Sequence, residues 1–177
     1  MHLRTYRVAR DPLTREATFS VSVESARIHL KQFGRGDDIK LSTESSATVA
    51  QAAAAFGIEP ERIAKTLSFR VDSDSCVLVV MAGDARTDNA LFKARFGRKA
   101  SMVKAEDVER LTGHPVGGVC PFANPDSAEV WLDTSLLRFD TVFPAAGSAN
   151  SAIELTCDEL LEFSGAKGWV SVSKLPE

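Results

Sequence analysis

The stretch IAKTLSFRVDSDSCVLVVM, residues 63–81, holds two hydrophobic runs parted by a polar turn. In the first, Ile63, Lys65, Leu67, Phe69 and Val71 fall on one face and Ala64, Thr66, Ser68 and Arg70 on the other, the two-residue period of a strand. In the second, CVLVVM is apolar without a break, which suits a strand covered on both faces. DSDS is short and turn-forming, so the two strands are expected to pair. Lys65 breaks the pattern by standing in the apolar row. An ammonium there must snorkel to water, meet an acid, or point into an accessible cavity; on an edge strand it would guard against aggregation. Beside a central strand the cavity is favoured. There Lys65 would hold a phosphate or carboxylate, or, once desolvated, act in proton transfer.

Outward from this hairpin the chain reads as mixed α/β. Helices are expected at about 22–33, 47–56, 88–96 and 104–112, the last three each followed by glycine at the C′ position (Gly57, Gly97, Gly113). Thr156 and Glu159 form a capping box that opens one more, with Leu160, Leu161 and Phe163 on its buried side. Further strands are expected at 129–132, 140–143, 151–155 and 169–173. A chain of 177 residues with 44% hydrophobic content can bury one good core. We assign residues 1–21 to an N-terminal arm and 22–177 to a single domain.

No run reaches the length of a membrane span, and the N-terminus lacks the apolar stretch of a signal peptide, so a cytoplasmic protein is expected. Cys76, Cys120 and Cys157 are odd in number and widely spaced, which fits neither a disulfide framework nor zinc ligation. A net charge of −3 argues against nonspecific coating of nucleic acid. Basic residues nevertheless gather at Arg86, Lys93, Arg95, Arg98, Lys99 and Lys104, either as a solvated helix face or as a local positive surface.

GHPVGGVCPFANP, residues 113–125, is a second unusual stretch. Glycine lets backbone approach a ligand and proline stiffens the turn, so this loop presents backbone rather than side chains. N–H groups around Gly117 and Gly118, facing an inward lysine, could stabilise an oxyanion, which points to acyl chemistry. His114 and Cys120 share the loop and could form a nucleophilic pair, although their six-residue spacing across Pro115 does not ensure that they meet. An inert, buried Cys120 is the plainer alternative. No metal-ligand cluster and no phosphate-cradling glycine-lysine loop occur.

Three segments in order, AAAAFGIEPERIAKTLSFRV, GHPVGGVCPF and AAGSANSAIELT, resemble the YbaK/ProX family, freestanding relatives of the editing domain inserted in bacterial prolyl-tRNA synthetases. The resemblance covers roughly residues 22–173. It implies an α/β fold of the YbaK type, with a curved, barrel-like mixed sheet and surrounding helices. It also implies hydrolysis of the ester joining a wrong amino acid to a tRNA 3′ end, without metal or other cofactor. Lys65 matches the family's signature lysine. Gly117 and Pro121 match its Gly-x-x-x-Pro loop, whose backbone is expected to meet the scissile carbonyl. Thr66 and Ser68 follow the lysine where the family lines its pocket; alternation puts them on the opposite face, so twist or a bulge is needed to reconcile them. Gly147 matches a family glycine. Cysteinyl-tRNA deacylases of the family begin that motif with serine, continue with a basic pair and place an acid before Ile-Glu-Leu. Here those places hold Ala145, Ser148-Ala149-Asn150 and Ala152, which counts against cysteine and favours seryl-, threonyl- or alanyl-tRNA.

The resulting expectation is a trans-editing deacylase with Lys65, Gly117 and Gly118 catalytic, and Thr66, Ser68, Pro121 and Gly147 binding substrate. Arg86, Lys93, Arg95, Arg98 and Lys99 would touch the tRNA acceptor end. A synthetase is a possible partner; DNA and membranes are not expected ones. A non-catalytic tRNA- or nucleotide-binding module, and a Cys120-dependent hydrolase, are the alternatives.

Overall fold

Residues 63–81 fold as the antiparallel pair their pattern predicts, in continuous register from Ala64 opposite Ala82 to Arg70 opposite Cys76. The computed structural model describes residues 12–177 except 45 and 47, with side chains from Val21 onward. In chain order the elements are α1 (Pro12–Lys31), β1 (Lys40–Leu41), α2 (Val49–Phe56), β2 (Ile63–Arg70), β3 (Cys76–Ala82), β4 (Arg86–Thr87), α3 (Asn89–Phe96), α4 (Ala105–Thr112), β5 (Ala128–Asp133), β6 (Thr141–Pro144), β7 (Ser151–Ala152), β8 (Leu155–Thr156), α5 (Cys157–Ser164), β9 (Trp169–Val170) and β10 (Ser173–Lys174).

A six-stranded mixed sheet in the order β8-β6-β2-β3-β5-β9 forms the frame and curls as a half barrel. Every residue of β3 is buried, as an unbroken apolar strand at the middle of a sheet should be. β2 lies between β3 and β6, so Lys65 is not on an outer strand. Phe69 packs its ring against Phe92 of α3 (centroids 4.6 Å apart), which anchors that helix to the sheet.

Local chemistry sets the helix ends. Thr48 caps α2 by accepting from Gln51 N, and Asp88 caps α3 by accepting from Ala90 N and Leu91 N. α5 opens with the full reciprocal capping box of Thr156 and Glu159. Such caps are worth about 1 kcal/mol each.

The first helix departs from expectation by starting at Pro12, a residue suited to a first helical turn, and ending at Lys31. Thus the last ten residues of the expected arm are helical, and residues 1–11 lie outside the described residues. The expected strand at 151–155 is two short ones, β7 pairing with β1 and β8 with β6, because the chain changes partner at Ile153 and Glu154. The expected strand at 169–173 divides likewise, β9 joining β5 and β10 joining β4. Among the described residues no helix is long and apolar enough to cross a membrane.

Candidate active site

β2 pairs with β6 only at Ile63 and Ala64. Farther along, Val103 N donates to Ser68 O (2.9 Å) and Arg70 N to Ser101 O (2.8 Å). Between these pairings the edge of β2 is open, and a cleft of about 470 Å³ lies against it. α2 supplies Val49, Ala52 and Phe56 to its wall, and the 102–108 segment, the 116–119 loop and the 143–152 segment supply the rest. Lys65, Thr66 and Ser68 all line it. Neither a bulge nor extra twist is needed to bring them together. The register with β3 is unbroken, and the cleft faces the strand's edge rather than one of its faces.

Lys65 is the single titratable side chain among the residues lining the cleft. Its Nζ donates to Gly83 O (3.0 Å) and Ala85 O (2.5 Å), which leaves one of three N–H donors uncommitted. Burial pushes its pKa below that of an ordinary lysine; the Asp84 carboxylate opposes this and Arg86 adds to it. The hydroxyls of Thr66 and Ser46, also cleft-lining, are buried and have no hydrogen-bond partner among the described residues. Buried polar atoms are nearly always paired, so these two stand out as groups suited to a ligand.

The glycine loop divides into a part at the cleft and a part behind it. Gly118 N donates to Pro115 O (2.9 Å), closing a tight turn with Gly117 at φ 88°, a conformation natural only to glycine. Gly117 lines the cleft; Gly118, expected beside it as a catalytic donor, does not, and its N–H is already committed to Pro115 O. The reason Gly118 must be glycine is packing, since a Cβ there would lie 2.5 Å from Gly147 O. Gly147 in turn abuts α1, where a Cβ would lie 2.4 Å from Ser22 O. Pro121 is buried and, like Gly147, is not part of the cleft wall. Of the two, Gly147 lies against Gly118 on the side of the loop away from the cleft wall.

His114 and Cys120 do meet, with Cys120 Sγ 3.4 Å from His114 Nε2, but not as nucleophile and base. His114 Nε2 is 2.7 Å from Phe122 O, and a carbonyl can only accept, so Nε2 carries the proton. The remaining lone pair, on Nδ1, receives the Ser22 hydroxyl at 2.6 Å. Cys120 therefore has no base. Its complete burial pushes the thiol pKa up to about 12, and burial also lowers that of His114. Neither residue lines the cleft.

Arg86, Lys93, Arg95, Arg98 and Lys99 are all exposed, and none is ion-paired to a described carboxylate. Arg95 lies over Trp131 (4.4 Å) and Arg98 donates to Val71 O (2.9 Å). The segment continues directly into Met102 and Val103 of the cleft wall.

Comparison with known proteins identifies the family. Residues 43–163 match the model of the aminoacyl-tRNA editing domain. The chain belongs to that family. The editing domain is 51% identical over 154 residues to YwhH of Bacillus subtilis (strain 168), an uncharacterised protein, covering 87% of this chain and 98% of the relative. Among solved structures it is similar to a candidate trans-editing enzyme for prolyl tRNA synthetase (28% identity, TM-score 0.77, 86% of this chain and 97% of that one). It is also similar to the hypothetical protein APE2540 (33% identity, TM-score 0.68, 77% and 90%). The resemblance to the YbaK/ProX family is thereby established, and with it the activity at its coarsest, hydrolytic editing of aminoacyl-tRNA.

Sequence reasoning missed several parts of the cleft. Ser46, Val116 and Ala149 reach the cleft through tertiary folding alone. Gly83 carried a readable signal, a glycine ending an apolar strand: a Cβ there would lie 2.0 Å from Pro60 O, so the 83–85 turn sits hard against the chain that precedes β2.

Proposed function

We propose that this editing domain acts in trans on mischarged tRNA, hydrolysing the ester of seryl-, threonyl- or alanyl-tRNA without a metal ion. The observation that carries the proposal is a cleft whose one titratable side chain is a lysine and whose wall includes a glycine turn. Water adds to the acyl carbon, the bond to the ribose oxygen breaks, and that oxygen takes the proton the water gives up. Lys65 supplies a fixed positive charge and a donor toward the ester or the adjoining phosphate. The Gly117 N–H, which makes no hydrogen bond to the described residues, supplies a second donor toward the developing oxyanion.

No carboxylate, imidazole or thiol is among the described residues lining the cleft, so the proton given up by the attacking water passes through a second water or through a hydroxyl of the substrate itself. The same donor set offers no ligand for a metal ion. Thr66 and Ser68 would contact the aminoacyl end, while Pro121 and Gly147 support the loop from behind. Arg86, Lys93, Arg95, Arg98 and Lys99 would meet acceptor-stem phosphates, a salt-sensitive contact, and a synthetase could present the substrate. Small apolar or hydroxylated side chains are those a synthetase pocket separates by only about 10- to 200-fold, which is the reason a second hydrolytic step is useful.

The test is single-turnover hydrolysis of seryl-, threonyl-, alanyl-, cysteinyl- and prolyl-tRNA by the wild type and by Lys65→Ala. Lysine-dependent release of seryl, threonyl or alanyl groups is expected. Binding of charged tRNA without release of any amino acid would favour the non-catalytic module instead.

A further inference from the structure

Lys65 is aimed by a device outside the cleft. Its two acceptors, Gly83 O and Ala85 O, flank Asp84, whose side chain is gripped at both oxygens by Arg138: Nη1 to Oδ2 at 3.0 Å and Nη2 to Oδ1 at 2.5 Å. Arg138 is itself preset. Its Nε donates to Ser135 O (2.9 Å) and its guanidinium lies over Phe139 (4.8 Å). Ser135 Oγ also accepts from Ala82 N (3.1 Å), tying the 134–138 turn to the end of β3. A two-pronged guanidinium–carboxylate pair is geometrically specific in a way a single ion contact is not.

We propose that Asp84 and Arg138, neither of which lines the cleft, are positioning residues for Lys65: they lock the 83–85 turn so that its carbonyls hold the ammonium in place with its third N–H free for the substrate. The proposal rests on the deacylase reading for its activity arm only. Asp84 has a second effect, since its charge favours the protonated lysine against burial and against Arg86. Of the other walls, α2, the 116–119 loop and the 143–152 segment contain no titratable side chain; in the 102–108 segment Asp107 is committed to Arg70 and Arg110, and Lys104 and Glu106 are exposed and do not line the cleft. In the 3₁₀ turn before β2, Arg62 pairs with Glu59 and Glu154.

The experiment joins two readouts on the full chain with Asp84→Asn, Arg138→Gln and Arg138→Lys. One is the pH titration of the Lys65 side chain followed by ¹³Cε NMR; the other is single-turnover deacylation of the best substrate. Asp84→Asn should move the lysine midpoint to lower pH. Arg138→Gln should slow turnover at neutral pH about 10- to 100-fold, the usual cost of a misplaced group, without lowering that midpoint, and Arg138→Lys should recover only part of the loss. An unmoved midpoint in Asp84→Asn, or turnover within about twofold of wild type in Arg138→Gln, would overturn the proposal. Thermal melting alone separates simple destabilisation, which lowers the melting point of both variants without splitting their titrations. If the wild type hydrolyses no ester, the deacylase reading fails, and the lysine titration still decides whether Asp84 governs Lys65.

Discussion

Two regions of this domain invite opposite readings, and both first impressions mislead. The cluster of Ser22, His114 and Cys120 has the cast of a nucleophilic triad, with contacts of 2.6 and 3.4 Å around one imidazole. The cleft beside β2 has one lysine, a few hydroxyls and an apolar wall. Yet the cluster is sealed and its hydrogen bonds are satisfied, the imidazole proton being fixed by Phe122 O. The cleft keeps a spare ammonium donor and two hydroxyls without a partner among the described residues. Reactivity follows access and unspent hydrogen-bonding capacity more closely than it follows residue type.

The strongest way to break this comparison is to exchange the two regions' expected sensitivities. Lys65→Ala should slow deacylation about 100- to 1,000-fold with circular dichroism unchanged, in line with loss of a transition-state donor. Unfolding instead would make the lysine structural. Gly118→Ala probes the boundary between the regions, because its Cβ must displace Gly147 O from 2.5 Å. We expect a stability loss of about 1–3 kcal/mol from overpacking. Deacylation should fall about tenfold as Gly117 shifts.

His114→Asn should cost about 1–3 kcal/mol in denaturant melts, by leaving buried partners unsatisfied, and should change the pH dependence of stability. The folded state holds His114 below its ordinary pKa, so the unfolded chain takes up a proton first as pH falls. Wild-type stability should therefore decline from about pH 6.5 toward the lower folded value, and the variant should lack that slope. The smallest effect is expected from Cys120→Ala, with turnover per folded molecule within about twofold and about 1 kcal/mol lost in packing. Near-complete loss of activity there would restore the cysteine hydrolase.

Much of the framework was legible in the residues themselves. β2 and β3 followed from alternation and from an unbroken apolar run, and α2 to α5 from their caps and terminal glycines, since these are signals between neighbours in the chain. Lys65 announced itself by breaking a period. The extent of α1 did not, because Pro12 to Val21 offers little periodic contrast and its seat against Gly147 is a contact across the fold. The splitting of 151–155 was hidden for a like reason: adjacent residues with similar β propensity pair with different strands.

The sequence by itself determined the hairpin, the family and the lysine on which the proposed chemistry turns, since each is written in local pattern or in motif order. Only the tertiary structure decided which glycine faces the cleft, that His114 and Cys120 meet without a base between them, and that two carbonyls and the Asp84–Arg138 pair hold Lys65. Those outcomes depend on where non-neighbouring backbone groups spend their hydrogen bonds, a quantity that exists only once the chain has closed around them.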